Sequence, residues 1–297
     1  MEIESCGGVC ELSEDCIANV LSLTSPKDTC RLSTVSSVFR SASQSDTVWD
    51  RFLPSDYREI ISSAVGEPDS LLGQFHSKKD LFLYLCDHPI LIDDGRKSFS
   101  LEKSSGKKCH MLAARELSIV WGDTPEYWQW IHLPESRFSE VAELIDVCWL
   151  EISGKINTHM LSSRANYAAY LVFTWNTETY RYGFRSHPAN GSVSIGGHES
   201  QKCSFYLVSE EEQREMYQIT ERQQQDNGEQ RQQQDNAERG IQYPKLRDDR
   251  WMEVELGECF VRGGQDGDLG ASLTMLTGNW KSGIIIQGIE IRPKECK

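Results

Sequence analysis

The sequence predicts an α+β chain: a small N-terminal helical module followed by a jelly-roll-like antiparallel β-sandwich. Three observations predict it. Apolar residues recur at helical spacing over residues 12–53 and at every second position from about residue 99 onward. The later runs are short, β-branched and aromatic, as in sandwiches. Crossover-helix patterns between them are missing, which disfavours a parallel α/β sheet. The 297 residues suggest about two domains, with enough chain to bury a core without disulfides.

The first helix is expected from Ser13 to Leu23, with Leu12, Ile17, Val20 and Leu21 on one face. Glu14 and Asp15 suit its positive N-terminal end. Ser25-Pro26-Lys27-Asp28 opens a second helix, with Ser25 as N-cap and Pro26 at the first position. Leu32, Val35 and Phe39 give that helix its stripe. Asp46 caps a third, carrying Val48, Trp49, Phe52 and Leu53. A module of about 40 residues buries too little surface to stand alone. Its apolar face is directed either at a partner or at the rest of the chain, and both readings stand.

Residues 55–98 read as a helical connector. Ser77-Lys78-Lys79-Asp80 is another N-cap pattern, and Leu81 to Cys86 is apolar nearly all round, which predicts burial on both sides. Pro89 ends that helix, and Ile90-Leu91-Ile92 reads as a strand. Strands follow at Phe99–Leu101, Val147–Ile152, Tyr167–Trp175, Tyr180–Phe184, Met252–Leu256 and Ile284–Ile291, with Gly288 as a bulge or turn. Residues 209–243 are polar and carry RQQQDN twice, which predicts a disordered loop insertion.

Composition narrows the function classes. Lys plus Arg is 31 against 45 for Asp plus Glu, a net charge of −14 that argues against a nucleic-acid surface. No apolar run is long enough to span a membrane, and the acidic N-terminus does not read as a secretory signal. Cytoplasm or nucleus is the expected location. The ten cysteines include no CxxC pair, so they read as reduced thiols, with no metal site and no cofactor implied. Asn190-Gly191-Ser192 reads as a turn.

Three features carry possible chemistry. Trp121, Tyr127, Trp128 and Trp130 lie within ten residues. Such rings stack on sugars when exposed and fill a core when buried. Glu253 and Glu255 alternate on one strand and so share a face. A glycosidase needs two carboxylates about 5–9.5 Å apart, but alternating Glu is also an ordinary solvated face. Asn279-Trp280-Lys281-Ser282-Gly283 either lines a site at a sheet end or closes a hairpin. No activated nucleophile is visible, so no catalytic residue is assigned.

The run LSEDCIANVLSLTSPKDTCRLSTVSSVFRSASQSDTVWDRFLP resembles an F-box, placed at residues 8–54. Leu12-Ser13 stands where that family carries Leu-Pro. The stretches KKCHMLAARELSIVWGDTPEYWQW, AELIDVCWLEISGKI, NYAAYLVFTW, DDRWMEVELGECFV and NWKSGIIIQGIEIRPK resemble the phloem-protein-2 type of plant lectin, also found in the jasmonate-induced tobacco lectin. They place this domain at residues 99–295. An F-box followed by this domain resembles the plant B-type phloem-protein-2 group.

The resemblance implies a non-catalytic substrate receptor of a Skp–cullin–F-box ubiquitin ligase. Leu12, Ile17, Val20, Leu21, Leu32, Val35 and Trp49 would meet the Skp adaptor, and through it cullin. The β-rich half would bind N-acetylglucosamine-containing glycans or N-glycan cores on a target. Trp121 and Trp128, seven residues apart, match two family tryptophans tied to sugar binding. Glu253 and Glu255 are added as sugar-binding candidates from strand geometry alone. The alternative is a free lectin in which the helices serve only as packing.

Overall fold

Serine caps set the helices of the N-terminal half. The computed structural model describes residues 12–66, 68–178, 180–214 and 241–294. The Gln-rich repeats expected as an insertion lie outside these residues, as do Cys6, Cys10 and the first residues of the expected F-box. The described chain forms two compact units. One runs to Asp94 and includes Phe99–Cys109; the other holds Gly95–Ser98 and the chain from His110 onward.

The first unit contains α1 (Glu14–Leu21), α2 (Pro26–Leu32), α3 (Ser37–Ala42), α4 (Asp46–Phe52), α5 (Tyr57–Ser62), α6 (Pro68–Gly73) and α7 (Lys78–Asp87). Ser13, Ser25 and Ser77 accept from the amides of Cys16, Asp28 and Asp80 at 3.3, 3.1 and 3.1 Å. Each relieves one unpaired N–H at a helix start. The stripe expected to run through Leu32, Val35 and Phe39 is broken. The second helix stops at Leu32, and Ser36 caps a new one through the Phe39 amide at 3.3 Å. Three Ser/Thr residues between 33 and 36 compete for backbone hydrogen bonds and favour that break.

Ile17, Leu21, Val48, Trp49, Phe52, Ile61, Phe82 and Leu85 fill the core of this unit. The Trp49 ring meets Phe52 at 5.6 Å and Phe82 at 5.2 Å, and its Nε1 donates to the Ser43 carbonyl at 2.7 Å. The expected connector is therefore part of the helical unit's own core. So is the turn at Gly106 (φ +72°), where a Cβ would stand 2.7 Å from the Phe52 carbonyl oxygen. The boundary expected at residue 99 moves accordingly.

Strands β1 (Ile90–Ile92), β2 (Lys97–Leu101) and β3 (Lys108–Ala113) follow the helices. The second unit then carries β4 (Ser118–Ile119), β5 (Trp128–Ile131), β6 (Val141–Leu144), β7 (Leu150–Asn157), β8 (Ala165–Trp175) and β9 (Ala189–Ile195). It continues with β10 (His198–Phe205), β11 (Lys245–Leu246), β12 (Met252–Val261), β13 (Asp268–Met275) and β14 (Ile284–Pro293). One antiparallel sheet runs β3-β14-β8-β12-β11, with β6 joined to the start of β14 and β5 to β6. The other runs β10-β9-β13-β7-β4. Leu112, Ile152, Tyr167, Phe173, Phe205, Leu256, Leu273 and Ile289 belong to the buried core of this unit.

The β14 register shifts between Ile286 and Gly288, the bulge the sequence suggests. Asn190-Gly191 is not a turn but lies inside β9. Glycine is needed there because a Cβ at residue 191 would stand 2.6 Å from the Leu256 carbonyl oxygen. The strand expected at Tyr180–Phe184 is absent: Tyr182 makes only an isolated bridge to Ser282.

Candidate functional site

The helical unit exposes aliphatic side chains that its own core does not need. Among the expected adaptor contacts, Leu12, Val20 and Val35 are 48, 56 and 67% exposed. Leu32 is half-buried. Ile17, Leu21 and Trp49 are buried in the unit's core, so they hold the helices together and do not form its surface. Helical periodicity reveals an apolar side but not which of its members the neighbouring helices cover. Leu23 and Val38, absent from the expected set, are also exposed.

At one end of the sandwich, loops from both sheets converge. β4 pairs with β7, and the Val120 amide continues the ladder by donating to the Glu151 carbonyl at 3.1 Å. Trp121 follows in a tight turn at φ +58°, a left-handed conformation that a bulky residue rarely adopts. Its exposed ring leans on Tyr127 at 5.4 Å. Trp128 begins β5 opposite Leu144 and is only 2% exposed. Its indole Nε1 has no hydrogen-bond partner among the described residues. The paired tryptophans thus differ: one presents a face, the other is buried with an unused donor.

Just beyond Leu144, the Asp146 carboxylate lies beside the Tyr182 phenol, and its Oδ1 is buried without a partner among the described residues. Burial and the Asp146 carboxylate hold that phenol above its usual range. Val147 and Lys281 exchange backbone hydrogen bonds at 3.0 and 2.8 Å. The buried Lys281 ammonium donates to the carbonyls of Cys148, Asn279 and Thr277 at 2.7, 2.8 and 3.3 Å. Burial pushes its pKa down. This pin joins the 145–149 and 276–283 loops, which carry the exposed Trp149 and Trp280. The end therefore combines exposed aromatic faces with unused polar atoms, the combination a shallow sugar site needs. Sequence reading missed Asp146 and Trp149, since Val147–Ile152 reads as uninterrupted strand.

Glu253 and Glu255 lie elsewhere. They project from β12, between β8 and β11, whereas Trp121 and Trp128 flank β4 and β6. Glu253 accepts from Arg292 at 2.6 and 2.8 Å and from Arg247 at 2.8 Å. Glu255 accepts from Lys294 at 2.7 and 2.8 Å and from Tyr170 at 3.3 Å. Burial pushes Glu253 up, but Arg292 and Arg247 outweigh it and hold the carboxyl below its usual range. That opposes the protonated acid a glycosidase requires. These carboxylates are neither a solvated face nor joined to the tryptophans. They border a cavity of about 440 Å³ whose charged walls are largely paired with one another.

One chain thus joins a helical module with exposed aliphatic side chains to an antiparallel sandwich with exposed aromatic rings. Residues 9–51 match the F-box domain, and residues 107–293 match phloem protein 2. The chain is 46% identical over 286 residues to the putative F-box protein PP2-B12 of Arabidopsis thaliana, covering 96% of this chain and 98% of that one. It is 42% identical over 309 residues to F-box protein PP2-B1 of the same plant, covering 95 and 89%. F-box protein PP2-B15 is 44% identical over 292 residues, covering 96 and 97%. The chain belongs to the phloem protein 2 family, among its F-box-bearing PP2-B members.

Proposed function

We propose that this protein is the substrate-recognition subunit of a Skp–cullin–F-box ubiquitin ligase. The observation that carries the reading is the exposure of Val20 and Val38 on α1 and α3, and of Leu12, Leu23 and Val35 in the segments beside α1, α2 and α3, in a unit whose interior is already filled. Fully burying one such side chain is worth about 1.5–3 kcal/mol, so several together suit an apolar partner surface. The Skp adaptor is that partner in this reading, and it connects the chain to cullin. The protein performs no bond chemistry itself; it raises the local concentration of a target near the conjugating enzyme. Its place of action is the cytoplasm or nucleus.

The aromatic end of the sandwich supports the second half of the reading, capture of a neutral glycan or glycoprotein containing N-acetylglucosamine. The alternative, a lectin without a ligase role, draws on the same end, because it is built wholly within the second unit.

Adaptor capture by the intact chain separates the two. The variant Val20→Asp/Val35→Asp changes surface residues only. It is expected to lose plant Skp adaptor in a pull-down while keeping its melting midpoint. A wild-type chain that is folded and captures no adaptor would sink the ligase reading and leave the lectin.

A further inference from the structure

We infer that Trp149 and Glu151 form a contact pair for the saccharide: the Trp149 ring stacks on a sugar ring, and the Glu151 carboxylate accepts hydrogen bonds from its hydroxyls. This deepens the saccharide reading above and rests on it.

Neighbouring strands hold the pair in place. β7 lies between β13 and β4. Glu151 stands opposite Thr274 on β13, and its carbonyl accepts from the Val120 amide at 3.1 Å on the other side. Val120 leads directly into the turn that carries Trp121, so the pair lies beside that exposed ring. Trp149 sits just ahead of β7 and is 48% exposed. Its indole Nε1 donates to Glu151 Oε2 at 3.2 Å. That bond fixes the orientation of the ring, so stacking a sugar on it costs little further side-chain ordering.

The carboxylate is open to a ligand. Glu151 is only half-buried. Among the described residues it makes no ion pair, and the Trp149 indole is the one donor to its side chain, which leaves Oε1 unengaged. A carboxylate offers about four acceptor positions, so most of its capacity is unused. Glu253 and Glu255 differ on this point, since Arg292, Arg247 and Lys294 occupy them. Thr274 shares the face of Glu151 and adds a half-buried hydroxyl. An aromatic face, an anionic acceptor and a hydroxyl match the C–H face and the hydroxyls of a neutral sugar.

Calorimetry on the intact protein with chitotriose tests this. Glu151→Gln keeps an oxygen for the Trp149 indole and turns the second acceptor into a donor. It is expected to weaken chitotriose about tenfold, with an unchanged melting midpoint. Trp149→Ala removes the platform and is expected to weaken it about tenfold or more, again with an unchanged midpoint. If the wild type binds and either variant binds equally well, the inference is overturned and the saccharide reading stands. The same holds for a loss of binding that comes with a lowered melting midpoint in both variants, which would make the pair a folding element. A wild type that binds no chitotriose overturns both.

Discussion

Lys281 shows how one side chain shapes the aromatic end of the sandwich. Its ammonium has left water for three backbone carbonyls on two loops. Lys281→Met keeps the stem and removes the donors, so those carbonyls lose a partner in a dry setting. A loss of about 3 kcal/mol is expected in urea unfolding of the intact chain. Ser13 is a gentler case. Where the F-box pattern carries proline, this chain uses a serine that caps α1 through its hydroxyl. Ser13→Ala should cost about 1 kcal/mol, read from the same unfolding curve. Single residues were unevenly legible. The spacing of Trp121 and Trp128 is visible in the sequence. Their opposite exposures are not, because they depend on β5 pairing with β6, which is itself held by β14 near the end of the described chain.

At the scale of elements, the face of β12 and β14 away from the core is an ion-pair lattice. Glu290 accepts from Arg247 at 2.5 Å and Arg292 at 2.7 Å, and Glu253 bridges the same two arginines. Burial pushes Glu290 up, but Arg247, Arg292 and Arg137 outweigh it and hold it below the usual carboxylate range. Depressed carboxylates stabilise the fold fully above their unfolded pKa of about 4.3, and that stability is lost as pH falls through the folded value. Acid unfolding should therefore begin as pH drops below about 4–5. Glu290→Gln should lower stability at pH 7 and flatten that acid slope, measured by urea midpoints across pH. The alternation of Glu253 and Glu255 is legible in the sequence. Their arginine and lysine partners are not, because β14 reaches them only through β8. The starts of α1, α2 and α7 were legible because serine caps act over three residues; at α4 the expected cap Asp46 is instead the first helical residue, and Ser45 before it makes no side-chain cap bond. The break between α2 and α3 was not, since an apolar stripe continues past it.

For the whole molecule, the order of helices then strands is plain in the sequence, because the apolar period itself changes. The edge of the first unit is less plain. Phe82, Leu85 and the Gly106 turn fill the space around Trp49 and Phe52, well past the closing Trp49 of the motif. A fragment ending at residue 54 should lack cooperative unfolding by circular dichroism, whereas the intact chain should show it. The path of the backbone has a wider consequence. It leaves the first unit after Asp94, lends Gly95–Ser98 to the second, and returns at Phe99. A single protease nick or recombination junction therefore cannot release either unit whole.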